Sequence, residues 1–311
     1  MPDIVISEFM DQSAVDSLAA DFDVIYDPDL VDRGDELITA VASARALVVR
    51  NRTQVRGELL QAAPDLRVVG RLGVGLDNID VFACRERGIE VCPATGANDT
   101  AVAEYVIATA MTLLRGAYAV GEAVIGGQWP RQACIGREIA GKVLGLVGFG
   151  GIARETAQRA LALGMDVIAH DPFVAPDDPT WTGVTREEGL PELLCKADVI
   201  SLHVPLTETT HNLVDAGAIA GMKRGAVLIN TARGGVVNEA ALADALKNGY
   251  LGGAALDVFA QEPVDSDAGA VFLSLPNLIL TPHIAGVTEE SNVRVSAMTA
   301  DNVRKVLEDT K

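Results

Sequence analysis

The chain has 311 residues, 49% of them hydrophobic, which is enough for two domains of ordinary size and leaves no low-complexity tract to suggest disorder. Its 43 Asp and Glu against 25 Lys and Arg give a formal charge of −18; that excludes the basic face a nucleic-acid binder needs, and an anionic substrate would require a locally positive pocket. No uninterrupted apolar run reaches ~20 residues, so no membrane span is expected, and Cys84, Cys92, Cys134 and Cys195 lack CxxC or Cys/His metal spacing, so they read as reduced, mostly buried thiols of a cytoplasmic protein without a metal site.

The first ninety-odd residues alternate short apolar runs with helical stretches. "DIVIS" (3–7), "DVIYD" (23–27), "ALVVR" (46–50), "LRVVG" (66–70) and "IEVCP" (89–93) are short and β-branched, as buried parallel strands are. Between the first two, "EFMDQSAVDSLAADF" has apolar residues near a period of 3.6, and strand, helix, strand in repetition predicts a parallel α/β sheet. One long helix is predicted from about Asp99 to Gly126; it is apolar nearly all round, so it must be buried between domains or against another subunit. A second α/β series follows: "KVLGLVGFG" (142–150), "MDVIAHDP" (165–172), "ADVISLHVP" (197–205), "AVLINTARGG" (226–235), "GAALDVF" (253–259) and "NLILTPHIAG" (277–286). The chain closes on one helix, with Thr288 as N-cap and Glu289 and Glu290 in its first turn.

Gly148-Phe149-Gly150-Gly151-Ile152-Ala153 fits G-x-G-x-x-G/A, between an apolar strand and an amphipathic helix, the context a dinucleotide loop requires. Gly148 allows the tight turn, and Gly150 lets a pyrophosphate approach the backbone. Ala153 permits close helix–strand packing, while the helix N-terminus at Gly151 and Ile152 offers unpaired N–H groups to the phosphate. Asp171 ends the next strand, where a carboxylate accepts from a ribose diol and repels a 2′-phosphate; no Arg or Lys stands beside it, which favours NAD over NADP.

"TARGG", "DVFAQEP" and "TPHIAG", in this order after the glycine loop, resemble the D-isomer-specific 2-hydroxyacid dehydrogenase family. "RLGVGLDNID" (71–80), "TAVAEYVIA" (100–108) and "HVPLTETTHNL" (203–213) extend the resemblance over almost the whole chain. It implies two Rossmann-like, flavodoxin-like parallel-sheet domains, the cofactor domain (96–283) inserted into a substrate domain (1–95 plus 284–311), and a homodimer made through the cofactor domains.

Reducing a 2-keto acid needs a hydride, which no side chain donates well, a proton for the carbonyl oxygen, and positive charge to polarise and orient the substrate. Arg233, at the end of a strand, suits the last role through its forked guanidinium. His283 suits proton transfer near neutrality, and Glu262 is the matching family position for its carboxylate partner. Taken singly, the histidine would read as a bonded core residue and the glutamate as a solvated loop acid. By resemblance Asp257 would bond the nicotinamide carboxamide, with a turn cap as the alternative, and Thr231 and Ala232 would line the nicotinamide through backbone groups. His203, Pro205, Thr207 and Thr210 fall on the family's HxPxTxxT pattern beside the cofactor; His203 reads as structural or cofactor-lining, and His211 lies at a polar helix start.

Val74 and Gly75, in "GVG", would offer successive backbone N–H groups to the substrate carboxylate, and Asn51 by analogy could touch the substrate. Arg50, Arg52 and Arg71 add positive charge near that loop, favouring a 2-hydroxy acid with a second anionic group: sulfolactate, 3-phosphoglycerate or a malate-like acid. The surrounding wording is more similar to sulfolactate dehydrogenases than to lactate or glycerate enzymes. The alternatives are a hydroxypyruvate or glyoxylate reductase, and a non-enzymatic NAD-sensing corepressor of the same fold. A formate dehydrogenase relative would carry Gln where Glu262 stands.

Overall fold

Short β-branched runs separated by helical stretches build two all-parallel sheets, and the computed structural model, which describes residues 2–309, sets each sheet in its own unit. The first unit takes the residues up to Asn98 and those from Val287 onward; the second is the continuous stretch Asp99–Gly286.

In chain order the first unit runs β1 (Ile4–Ile6), α1 (Gln12–Ala19), β2 (Val24–Tyr26), α2 (Gly34–Val41), β3 (Ala46–Val49), α3 (Gly57–Ala62), β4 (Val68–Arg71), α4 (Val81–Glu86) and β5 (Glu90–Pro93). The second begins with α5 (Asp99–Arg115) and α6 (Gly121–Ile125), then β6 (Val143–Val147), α7 (Gly151–Ala162), β7 (Asp166–His170), β8 (Thr185–Arg186), α8 (Leu190–Lys196) and β9 (Val199–Leu202). It ends with α9 (Ala216–Ala220), β10 (Val227–Asn230), α10 (Glu239–Lys247), β11 (Gly253–Leu256), α11 (Ser266–Gly269) and β12 (Leu278–Leu280). The chain then returns to the first unit as α12 (Glu289–Asp309).

The five-stranded sheet has the order β2-β1-β3-β4-β5. Ile4, Ile6, Val48 and Val68 pack with Leu18 of α1 and Val303 and Leu307 of α12. Val5, Leu47 and Val69 point the other way, onto Leu37, Leu60 and Cys84. Period-two alternation therefore fills both faces of each strand, which is why these runs are apolar throughout. Each such fully buried Leu or Ile stabilises by ~1.5–3 kcal/mol. Thr288 caps α12 as expected: its hydroxyl accepts from the Ser291 N–H at 3.0 Å, and Ser291 returns the bond to the Thr288 N–H at 2.8 Å.

The seven-stranded sheet has the order β12-β11-β10-β9-β6-β7-β8. From β6 the chain moves to β7 on one side and later to β9 on the other, so the strand order reverses at the carboxyl end of β6, the place where open α/β sheets bind ligands. The two-residue β8 was not legible as a strand.

Three expectations need correction. The single helix over 99–126 is two: α5 stops at Arg115, and Gly116 follows at φ 60°, a left-handed conformation that ends a helix. Two of the four thiols are buried, Cys84 and Cys92; Cys134 is half-buried and Cys195 exposed, and all are free. The stretch around His211 is a turn, not a helix start.

Candidate active site

The glycine loop leaves β6 at Val147. Gly148 lies at φ 87°, and a Cβ there would come within 2.5 Å of the His203 carbonyl oxygen, so a glycine is needed for both conformation and space. The strands beside it close the turn: the Gly148 N–H donates to the His170 carbonyl at 2.9 Å and the His203 N–H to that of Val147 at 2.7 Å. At Gly150, by contrast, no atom lies within 4 Å of where a Cβ would stand, and no side chain caps the N-terminus of α7. Open space over uncapped N–H groups fits a pyrophosphate. Asp171 braces the loop from β7: one carboxylate oxygen accepts from the Phe149 N–H at 2.8 Å, the other from the Phe173 N–H at 2.9 Å. Phe149, buried beneath, stacks on Trp181 at 4.6 Å. Asp99, at the start of α5, touches Gly151; burial, with the charge of Glu155, raises its carboxyl above the ordinary range.

Across the crevice from β6, the Thr210 hydroxyl accepts from the Thr207 N–H at 2.7 Å and donates to the Pro205 carbonyl at 2.6 Å, building a turn from the HxPxTxxT residues. His203 bonds Ser201 through Nε2 at 2.9 Å, and burial pushes its pKa down to about 4, so its ring stays neutral. Next to Ala232, the buried Thr231 hydroxyl oxygen has no hydrogen-bond partner. A buried unpartnered hydroxyl costs ~1–3 kcal/mol, and a polar group of a bound nicotinamide would relieve it.

At the opposite end of the loop set, His283 Nδ1 lies 2.8 Å from Glu262 Oε2. The other glutamate oxygen accepts from the Phe259 N–H at 2.9 Å, which fixes the carboxylate. Burial alone would raise the Glu262 pKa; the bonds from His283 and Phe259 and the charges of His283 and Arg233 outweigh it and hold the group below the ordinary carboxylate range. A fixed carboxylate on Nδ1 orients the ring, and among the described residues nothing bonds Nε2.

Arg233 follows β10 in a loop that Asn230 shapes. The buried Asn230 side chain donates to the Arg233 carbonyl at 2.9 Å and accepts from the Ala232 N–H at 3.1 Å. A Cβ on Gly234 would stand 1.7 Å from the Phe259 carbonyl, so that glycine lets the arginine loop approach the segment carrying Glu262. One guanidinium nitrogen donates to the Ala232 carbonyl at 2.6 Å.

Asp257, 1% exposed, has both oxygens engaged by the loop that carries His283: Oδ1 accepts from the Ile284 N–H and Oδ2 from the Ala285 N–H, each at 2.8 Å, and Oδ1 also from the Thr281 hydroxyl at 2.6 Å. The sequence had marked Asp257 for the carboxamide, with a turn cap as the alternative; its observed bonds are those of a cap. Asn230, Thr281 and Tyr105 were missed altogether, because their partners lie far along the chain.

In the first unit, buried Glu8 organises the loop after β3. Its carboxylate accepts from the N–H groups of Arg50 (2.8 Å), Thr53 (3.0 Å), Arg52 (3.1 Å) and Asn51 (3.3 Å). Burial would raise its pKa, but the Thr53, Arg50 and Arg52 bonds hold it low. The three arginines separate. Arg71 wraps its own loop, donating to the carbonyls of Gly75 at 2.7 Å and Leu72 at 2.6 Å. Arg52 pairs with Asp32 at the surface. Arg50 donates to the neutral Asn292 side chain at 2.8 Å and lies over the Phe9 ring, and burial lowers its pKa. Among the described residues the N–H groups of Val74 and Gly75 have no partner.

Residues 107–285 match the family model described as D-isomer specific 2-hydroxyacid dehydrogenase, NAD binding domain. The chain is 58% identical over 307 residues to an (S)-sulfolactate dehydrogenase of Chromohalobacter salexigens, covering 99% of each. It is 41% identical to a D-3-phosphoglycerate dehydrogenase of Archaeoglobus fulgidus over 86% of this chain and 50% of that protein. Its fold is similar, at TM-score 0.84 and 29% identity, to a D-lactate dehydrogenase from Aquifex aeolicus complexed with NAD and lactic acid, covering 98% and 97% of the two chains.

Proposed function

The chain belongs to the D-isomer-specific 2-hydroxyacid dehydrogenase family, and from that premise we propose that it interconverts a 2-keto acid and a 2-hydroxy acid bearing a second anionic group, with sulfolactate the foremost candidate. It is an NAD-dependent oxidoreductase acting on the CH–OH group of 2-hydroxy acids.

The observation that carries the site reading is the His283–Glu262 pair at 2.8 Å, with Arg233 close enough for its charge to act on the glutamate. In the reduction His283 Nε2 gives its proton to the substrate carbonyl oxygen, and the Glu262 carboxylate stabilises the imidazolium beforehand. Arg233 grips carbonyl and carboxylate oxygens with two parallel N–H groups, polarising the carbonyl as negative charge grows on it. In the oxidation the neutral ring takes the hydroxyl proton. A bound NADH would supply the hydride; Gly150, Gly151 and Ile152 would hold its pyrophosphate, Asp171 its ribose, and Thr231 and Ala232 its nicotinamide, with His203, Pro205 and Thr210 lining the crevice.

Asn51, Val74 and Gly75 are assigned to the substrate, the last two because their N–H groups are unpartnered. The second anionic group is supported by Arg50, whose guanidinium is held by a neutral amide and an aromatic ring while Arg52 is paired with Asp32. A homodimer through the second unit is supported by the exposed large apolar side chains between α5 and β6: Tyr118, Ile125, Trp129 and Ile135 are each at least 74% exposed. No helix among the described residues is long and apolar enough to cross a membrane, and a cytoplasmic location completes the reading.

The test is NADH oxidation followed at 340 nm with 3-sulfopyruvate, 3-phosphohydroxypyruvate, oxaloacetate, hydroxypyruvate, glyoxylate and pyruvate. The reading expects kcat/KM for a doubly anionic keto acid to exceed that for pyruvate at least ~100-fold, within the range for losing one partner of a charge pair at a half-buried arginine. Preference for hydroxypyruvate or glyoxylate would replace it with the reductase alternative, and binding without turnover with the corepressor one.

A further inference from the structure

His283 has φ 57°, the left-handed region that a residue with a side chain rarely occupies unless its surroundings hold it there. What holds it is visible. Its N–H donates to the Asp257 carbonyl at 2.8 Å and the Thr281 carbonyl at 3.0 Å. The next two N–H groups, of Ile284 and Ala285, donate to the Asp257 carboxylate. Asp257 is therefore the clasp of the turn, and the question becomes what fixes the clasp.

Thr281 has one hydroxyl proton, and it goes to Asp257 Oδ1 at 2.6 Å. The Thr281 hydroxyl oxygen also lies 2.6 Å from the hydroxyl of Tyr105, on α5. With its proton spent, Thr281 can only accept, so Tyr105 is the donor and the chain of bonds runs one way: Tyr105 to Thr281 to Asp257. Burial and the Asp257 charge raise the Tyr105 pKa, so the phenol keeps its proton across the working range. α5 is well anchored, with Val106, Ile107, Ala110, Leu113 and Leu114 in the core beneath β6 and β10. A buried helix thus reaches the 281–285 turn through two hydroxyls.

We propose that Tyr105 is a positioning residue for proton transfer: through Thr281 and Asp257 it holds the 281–285 turn so that His283 keeps the left-handed backbone that sets Nδ1 on Glu262. The inference rests on the reading of His283 as the proton carrier. It makes no contact between Tyr105 and substrate or cofactor. The charged groups near the imidazole among the described residues are Glu262, Arg233 and Asp257, and replacing the phenol by a phenyl ring changes the charge of none of them.

Tyr105→Phe keeps the ring and removes the donor. A looser turn places the imidazole less well, so kcat is expected to fall roughly fivefold to tenfold, the scale of coupling through one bonded network, with keto-acid KM and NADH affinity by fluorescence within about twofold. Because the His283–Glu262 bond slackens, the alkaline limb of the kcat/KM profile for reduction moves to lower pH. Thr281→Val is expected to reproduce both effects, and Thr281→Ser, which keeps the hydroxyl, to recover most of the rate. A purely structural hydroxyl would lower thermal stability and leave the pH profile in place. Wild-type kcat and limb in Tyr105→Phe overturn the proposal, and so does equal loss in Thr281→Ser and Thr281→Val. His283→Asn in parallel separates the two readings. Turnover surviving there removes the proton carrier itself, whereas turnover lost there but intact in Tyr105→Phe removes only the positioning role.

Discussion

Glu262→Gln isolates the charge of the orienting group while keeping its shape. The amide can still accept from the Phe259 N–H, the bond seen at 2.9 Å, so the side chain need not move. What is lost is the attraction between carboxylate and imidazolium. The Nδ1–Oε2 distance is 2.8 Å, but the side chains are 40% and 34% exposed, so water screens the pair strongly. Taking charge centres about 4 Å apart and a water-like dielectric gives about 1 kcal/mol. Reduction needs the protonated ring, so the alkaline limb of kcat/KM should move to lower pH. Oxidation needs the neutral ring, so its acidic limb should move the same way. Both profiles come from absorbance at 340 nm over pH 5 to 10. Limbs that stay in place, or move in opposite directions, would refute the assignment of Glu262 as the partner that tunes the acid.

Gly234→Ala places a methyl within 1.7 Å of the Phe259 carbonyl, so the arginine loop and the Glu262 segment must part; kcat/KM should fall at least ~100-fold, read by steady-state kinetics, with the second unit still folded by circular dichroism. Arg233→Lys keeps a charge but not the fork, and kcat/KM is expected to fall by a similar ~100-fold with NADH affinity little changed. Asp171→Ala removes a brace and a ribose acceptor; the Kd for NADH should rise roughly tenfold while that for NADPH changes less, measured by fluorescence titration. Glu8 is held below its ordinary pKa in the folded protein, so it stabilises the fold above the unfolded-state value near 4.5, and that contribution is lost as the pH falls through the lower folded value. Glu8→Gln should therefore cost about 2 kcal/mol at neutral pH and flatten the acid side of a Tm-versus-pH curve.

The parts of this molecule that were legible in the sequence are those encoded over short distances. The strand–glycine–helix passage from Val147 to Ala153 carries its own geometry, because the turn, the phosphate approach and the helix packing are each set by a neighbouring residue. The Thr288 cap is equally local. Arg233, Glu262 and His283 could be singled out only through the resemblance, since each has an ordinary reading alone. What the sequence hid depends on partners brought together by the fold. Tyr105 and Thr281 are 176 residues apart, and Glu8 meets its loop across more than forty. The break in the 99–126 helix was illegible for a different reason: apolar composition continues across Gly116, and only the left-handed backbone there ends α5. Tertiary bonding decided the Tyr105–Thr281 and Glu8 contacts, and local pattern has no term for it.

The resulting picture is of a loop histidine held from two directions. Glu262 fixes the ring of His283 from the side chain, and Asp257 fixes its backbone from beneath. This division allows an exposed imidazole to be well placed without being buried, as the proposed proton exchange with substrate requires.

The most direct measurement pairs kcat with NADH affinity for His283→Asn, using the keto acid that ranks first in the substrate panel. The account predicts a fall in kcat of at least ~1000-fold, the upper part of the range for losing a general acid, with the NADH dissociation constant within twofold of the parent. Retained turnover, or loss of turnover together with NADH binding, would contradict it.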